Sequence, residues 1–178
     1  MKILLILLLL IGSTKSHSYD YYILVDYSMS TKSNRMMVYD VSKKKIVYSC
    51  KCAHGNGGGE EATINSFSNS PGSHKTSLGR YKIGKKRILR SFEGFDISMF
   101  KVPCYELHGL DKTNSNAYKR GILLHADPLM STRAIPIPPI HSFGCISIPS
   151  KSFKKVSQYI DNNNVLIVAY YKNLEDYL

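Results

Sequence analysis

GCISIPSKSFKKVSQYIDNNNVLIVAYYK, residues 144 to 172, contains the one helical pattern in the chain, set between extended segments. In SKSFKKVSQYIDNNN, the apolar residues Phe153, Val156 and Ile160 recur at helical spacing. Ser150 offers an N-cap and asparagines close the segment, so one amphipathic helix is expected there. VLIVAYYK runs apolar without alternation, which predicts a strand buried on both faces. Upstream, everything reads as β. YYILVDYS (21–28) is a β-rich run, and Arg35 to Val41 with Lys45 to Ala53 flank SKKK as a hairpin. LGRYKIG and KKRILRSF have strand character, YELHGLD is extended, and GILLHAD is an apolar strand expected to end at His125. Six of the seven prolines lie between residues 103 and 149, and IPIPP at 135–139 excludes a helix there. The expectation is a mainly β domain, a β-sandwich or closed sheet with one clear C-terminal helix.

MKILLILLLLIGSTKSHS at the start places Lys2 before nine apolar residues, Ile3 to Ile11, and then small polar ones. That order predicts a secretory signal peptide over residues 1–18, leaving one domain over 19–178. The apolar run falls short of the roughly 20 residues a spanning helix needs. No later stretch reaches that length, so the mature protein is expected without a transmembrane segment and outside the cytoplasm. The chain carries 24 Lys+Arg against 13 Asp+Glu, a formal +11. Such charge favours anionic partners, which outside a cell means an anionic cell-wall polymer, lipid head groups or extracellular nucleic acid. No nucleic-acid motif is present.

Several chemistries are excluded by spacing. GNGGGEE lacks the Lys-Ser/Thr of a phosphate loop. Glu60 and Glu61 are adjacent and cannot straddle a glycosidic bond. CKCAH (50–54) offers two thiols and an imidazole, but no second ligand pair follows at finger-like spacing. No metal site is expected. The remaining chemistry is a thiol's. Four cysteines, Cys50, Cys52, Cys104 and Cys145, invite disulfides in an oxidising compartment. Cys50 and Cys52 sit two apart on one strand face and cannot easily bridge each other, though either could pair with Cys104. Cys145 is then free for chemistry. Gly144 lets the backbone approach a substrate carbonyl, Ser142 can supply a hydrogen bond, and a base must come from elsewhere in the chain. His74 lies in the Gly, Asn and Ser-rich stretch 54–77, expected to be a long flexible loop. His125, on a rigid strand, is the better base.

His125 is followed by sixteen residues and then Ser142-Phe143-Gly144-Cys145-Ile146-Ser147. This resembles the signature of L,D-transpeptidases: a histidine, a spacer of that size, Ser or Thr, usually His, then Gly-Cys. AHGNGGGEEATINSFSNSPGSHKTSLGRYKIG (53–84) and YELHGLDKTNSNAYKRGILLHAD (105–127) are similar to the murein L,D-transpeptidase catalytic domain-like branch. The likeness covers Val25 to Ser150. It implies Cys145 as nucleophile, His125 as base, Gly144 with the Cys145 N–H in an oxyanion hole, and Ser142 orienting the imidazole. Asn116 and Arg120 match positions near the histidine, which implies substrate binding, with a carboxylate role for Arg120; a surface ion pair is the alternative for that arginine. Phe143, Ala126 and Ser147 depart from the usual residues and bear on substrate preference.

The implied activity is acyl transfer on peptidoglycan stem tetrapeptides, giving 3-3 cross-links through a Cys145 acyl-enzyme, without a cofactor. Carbapenem acylation of the thiol is implied too. The alternatives are an L,D-carboxypeptidase using water, a non-catalytic basic wall-binding protein, and a structural domain with Cys145 in a disulfide.

Overall fold

A computed structural model describes residues 19–58, 63–92, 95–96, 101–130 and 142–178. The expected leader, Glu60 and Glu61, and IPIPP lie outside these residues.

Among the described residues ten strands form: Tyr21–Asp26 (β1), Met36–Asp40 (β2), Lys45–Cys50 (β3), Gly79–Leu89 (β4), Ser91–Phe92 (β5), Phe95–Asp96 (β6), Val102–Gly109 (β7), Leu123–Asp127 (β8), Ile146–Pro149 (β9) and Val165–Tyr170 (β10). An α-helix, Ser150–Ile160 (α1), separates β9 from β10. Eight strands make a single sheet in the order β3-β2-β1-β10-β4-β7-β8-β9, and β5 pairs with β6 in a short ribbon. Pairing is antiparallel except between β1 and β10 and between β8 and β9.

The runs YYILVD and VLIVAY are apolar at successive positions because both faces of the sheet centre are covered. Ile23, Val25, Val165, Ile167 and Ala169 face the main core, while Leu24, Leu166, Val168 and Tyr170 face a second cluster. Leu174, from a C-terminal 3-10 turn, lies in that second cluster. Helix α1 places Phe153, Val156 and Ile160 in the main core, as their spacing predicts. The Phe153 ring stacks on Tyr105 at 5.6 Å.

Two details differ from expectation, the helix cap and the end of β8, and the hairpin register is settled by the structure. The helix is capped at Pro149, whose side chain makes no capping bond, so Ser150 is its first helical residue. Proline's fixed φ suits the entry to a helix, and the turn from strand to helix happens at that residue. The β2–β3 hairpin is correct, but its register shifts between Val38 and Tyr39. Strand β8 continues two residues past His125, which puts the imidazole mid-strand rather than at an end.

The edges of the sheet meet. Beyond β3 the chain runs alongside the segment leading into β9. Ala53 N–H donates to Ser147 O (2.9 Å), Ser142 N–H to His54 O (2.8 Å) and Asn56 N–H to Ser142 O (2.8 Å). The sheet therefore closes on itself next to Cys145, and the exposed-edge problem is solved where the chemistry is to be built.

Candidate active site

Strands β8 and β9 run parallel, with Leu124 opposite Ile146 and His125 opposite Ser147. Cys145 stands one residue ahead of β9, and this register brings its thiol beside the His125 imidazole, near enough to act on its proton affinity. The Leu123 N–H also points at Cys145 Sγ (3.4 Å), with Gly121 O at 3.7 Å. His125 Nδ1 lies 2.9 Å from Ala126 O. A carbonyl oxygen only accepts, so Nδ1 carries the hydrogen and Nε2 is the nitrogen left for the thiol.

Burial by itself lowers the pKa of the His125 imidazole, but the hydrogen bond to Cys145 and the charge it carries as thiolate outweigh this. With help from the Ala126 carbonyl and the Asp127 carboxylate, they raise it above the ordinary value. A raised imidazole pKa favours the protonated ring, the form that can donate a proton. The other three thiols are of a different kind. All four cysteines are unbridged, and Cys145 is the one that is not fully buried. Burial, aided by Cys52, pushes the Cys50 thiol up to about 12, and burial also raises Cys52 and Cys104. The disulfide with Cys104 is not formed.

The turn carrying Cys145 is built around a glycine that has no substitute. Gly144 has φ +107°, and a Cβ there would stand 2.7 Å from Lys75 O and 3.0 Å from an Arg120 nitrogen. Ser142 organises the same turn: its Oγ donates to Cys145 O (2.7 Å) and accepts from Gly144 N–H (3.2 Å).

The sequence profile of the L,D-transpeptidase catalytic domain matches residues 9–170. The chain belongs to the L,D-transpeptidase catalytic-domain family. Solved structures with a similar fold include the helical cell shape determining protein Pgp2 from Campylobacter jejuni, at 17% identity and TM-score 0.56, covering 96% of this chain and 56% of that one. Bd1075 from Bdellovibrio bacteriovorus aligns at 20% identity and TM-score 0.54, covering 88% and 50%. A mutant of Enterococcus faecium L,D-transpeptidase aligns at 14% identity and TM-score 0.52, covering 89% and 54%. The chain thus spans about half the length of these structures. No curated protein matches it.

Within this L,D-transpeptidase domain, the remaining sequence-derived residues serve the frame around the thiol. Ser142 was expected to orient the imidazole; its hydroxyl is instead committed to the backbone of its own turn. Arg120 is no surface ion pair. It donates to Ser68 O (2.8 Å), Lys75 O (2.6 Å) and Ser73 Oγ (3.4 Å), behind Gly144. Asn116 exchanges hydrogen bonds with Asn69: its N–H donates to Asn69 Oδ1 (3.0 Å) and its Nδ2 to Asn69 O (3.2 Å). Both residues tie down the stretch 66–77, which was expected to be flexible. Ser147 donates to Asp127 Oδ2 (3.3 Å), linking β9 to the end of β8.

Arg35, which pattern reading passed over, and His54, the imidazole of CKCAH, lie under this site. Arg35 is fully buried and donates from Nε to Cys52 O (2.8 Å), from one terminal nitrogen to Met29 O (3.1 Å) and from the other to His54 Nδ1 (3.1 Å). Its guanidinium also lies over the Tyr27 ring at 4.9 Å. His54, fully buried as well, belongs to the edge segment that pairs with Ser142. CKCAH is thus a structural motif here, its imidazole held by an arginine. Among the described residues, no group of three His, Cys, Asp or Glu side chains could hold a metal ion. No described helix is long and apolar enough to cross a membrane.

Proposed function

We propose that this domain is a cysteine acyltransferase that acts on peptidoglycan stem tetrapeptides outside the cytoplasm and forms 3-3 cross-links. The observation that carries this is the register of β8 on β9, which sets the His125 imidazole beside the partly exposed Cys145 thiol, in a domain of the L,D-transpeptidase family. The Cys145 thiolate attacks the carbonyl carbon between the third stem residue and the terminal D-alanine. Charge moves to the carbonyl oxygen, which accepts from the Cys145 N–H, assisted by Gly144 N–H once that group exchanges its long contact with Ser142. One such donor in a dry site is worth about 3 kcal/mol of barrier. The His125 imidazolium then gives its Nε2 proton to the departing amine, the C–N bond breaks, and a thioester remains on Cys145. An acceptor amine attacks that thioester, His125 takes its proton, and the thiolate leaves. Water in place of the amine would make the same site an L,D-carboxypeptidase.

The thiol and imidazole carry every bond-making and bond-breaking step in this sequence. Arg120 and Asn116 act as positioning residues, because their hydrogen bonds go to the 68–75 backbone and to Asn69. The basic chain, +11 overall, suits retention on anionic wall polymer, and the leader read over residues 1–18 suits export.

The test is incubation of purified protein with a stem tetrapeptide, following D-alanine release and dimer by mass. The wild type should release D-alanine and accumulate dimer. Cys145→Ala should abolish both, and His125→Ala should slow turnover on the order of 10²- to 10⁴-fold. Release without dimer would identify the carboxypeptidase, and neither product would refute acyl transfer altogether.

A further inference from the structure

His74 adopts φ +53°, a left-handed conformation that costs any residue with a side chain unless something compensates. The surroundings are shaped to keep it there. A Cβ on Gly55 would lie 2.2 Å from His74 O, and one on Gly57 would lie 2.0 Å from Ser73 O, so the chain passes closely over two glycines. Gly57 N–H donates to His74 O at 3.1 Å. The side chain held this way is exposed, and so adds little burial to offset its backbone. It instead meets Phe143, two residues before the nucleophile: the ring centroids are 4.4 Å apart, inclined by 39°. The next residue, Lys75, turns its carbonyl toward Gly144, where a Cβ would stand 2.7 Å from it.

From this placement we propose that His74 is a specificity-determining residue: its imidazole and the tilted Phe143 ring form an aromatic wall beside the Cys145 turn, against which the stem peptide packs. The assignment rests on the stem-peptide reading above. A strained, solvent-facing imidazole set against the nucleophile's own turn is where binding contacts belong, since residues held in sparse backbone regions concentrate at ligand sites. Planar side chains contribute contact area at small entropic cost. Neither ring reaches the reacting bond in this role, so the wall acts through binding of the donor.

The test compares wild type, His74→Gly and His74→Phe in full-length protein, with a synthetic stem tetrapeptide as donor. Three quantities are read: kcat and KM for D-alanine release, Tm, and the rate of Cys145 alkylation by iodoacetamide. His74→Gly relieves the backbone, so its Tm should equal or exceed that of wild type. Its alkylation rate should stay within about twofold, while kcat/KM falls on the order of tenfold through KM. His74→Phe, which keeps the wall, should recover most of that loss. Wild-type kcat/KM in His74→Gly overturns the assignment, as does a drop that merely follows a lower Tm or a slower alkylation. Equal losses in the two variants overturn the planar contact. A wild type that is alkylated by iodoacetamide yet releases no D-alanine removes both the wall and the stem-peptide substrate, an outcome distinct from the others.

Discussion

At the scale of single residues, His125 sits between opposed influences. Burial pulls its pKa down, and the Cys145 partner, the Ala126 carbonyl and Asp127 pull it up and prevail. Removing the thiol removes two of the upward contributions at once. In Cys145→Ala, the imidazole titration followed by NMR should therefore move to lower pH than in wild type, because desolvation then acts with less opposition. An unchanged or higher titration would mean that the thiol is not what favours the imidazolium. The same contrast explains why one cysteine of four is suited to chemistry: thiols pushed up by burial, such as Cys50 at about 12, hold almost no thiolate near neutral pH.

At the scale of elements, the segment 66–77 has little regular structure, yet it is pinned along its length. Thr76 Oγ1 accepts from Gly55 N–H (2.9 Å), Thr76 O accepts from Ser68 N–H (3.0 Å), and Lys75 Nζ donates to Ser66 Oγ (2.7 Å). Asn69 Nδ2 donates to Lys112 O and Ser115 Oγ, both at 3.0 Å. Arg120 holds this segment with bonds to two of its carbonyls and one hydroxyl, its guanidinium lying behind Gly144. Arg120→Met removes those donors while keeping much of the side-chain volume. The acceptors left behind should cost about 2–4 kcal/mol in denaturant unfolding. Limited proteolysis should then cut first within 66–77. Cleavage elsewhere, with unchanged stability, would show that the arginine is not the clasp.

At the scale of the whole molecule, the decisive feature is closure of the sheet where 53–56 meets 142–147. The closure joins parts of the chain nearly ninety residues apart and leaves the Cys145 turn between two paired strands. Arg35 supports it from inside, spending a buried cation on two carbonyls and the His54 ring. Burying arginine is costly unless its donors are satisfied, and its removal leaves those acceptors without a partner. Arg35→Met should lower stability by about 2–4 kcal/mol. Amide exchange should accelerate specifically in 53–56 and 142–147, relative to the β1–β10 pair at the sheet centre. Uniform acceleration, or none, would place the support elsewhere.

What the sequence determined by itself was what short-range pattern encodes. The period of Phe153, Val156 and Ile160 specified a helix, and the unbroken VLIVAY a strand covered on both faces. Several short motifs in one order, from FSNSPGS to SFGC, identified the family, because each motif is local in the chain. The extent of β8 past His125, the bulge at Val38 and Tyr39 and the cap at Pro149 depended on neighbouring strands, and local propensity does not report those. The tertiary structure alone decided the use of side chains whose partners lie far along the chain. Ser142 turned inward to its own loop, Arg120 became a clasp, Arg35 went under the site, and His74 came against Phe143. Hydrogen bonds and packing in these places join residues separated by up to some seventy positions, and such distances are set by how the sheet closes, which no window of sequence contains.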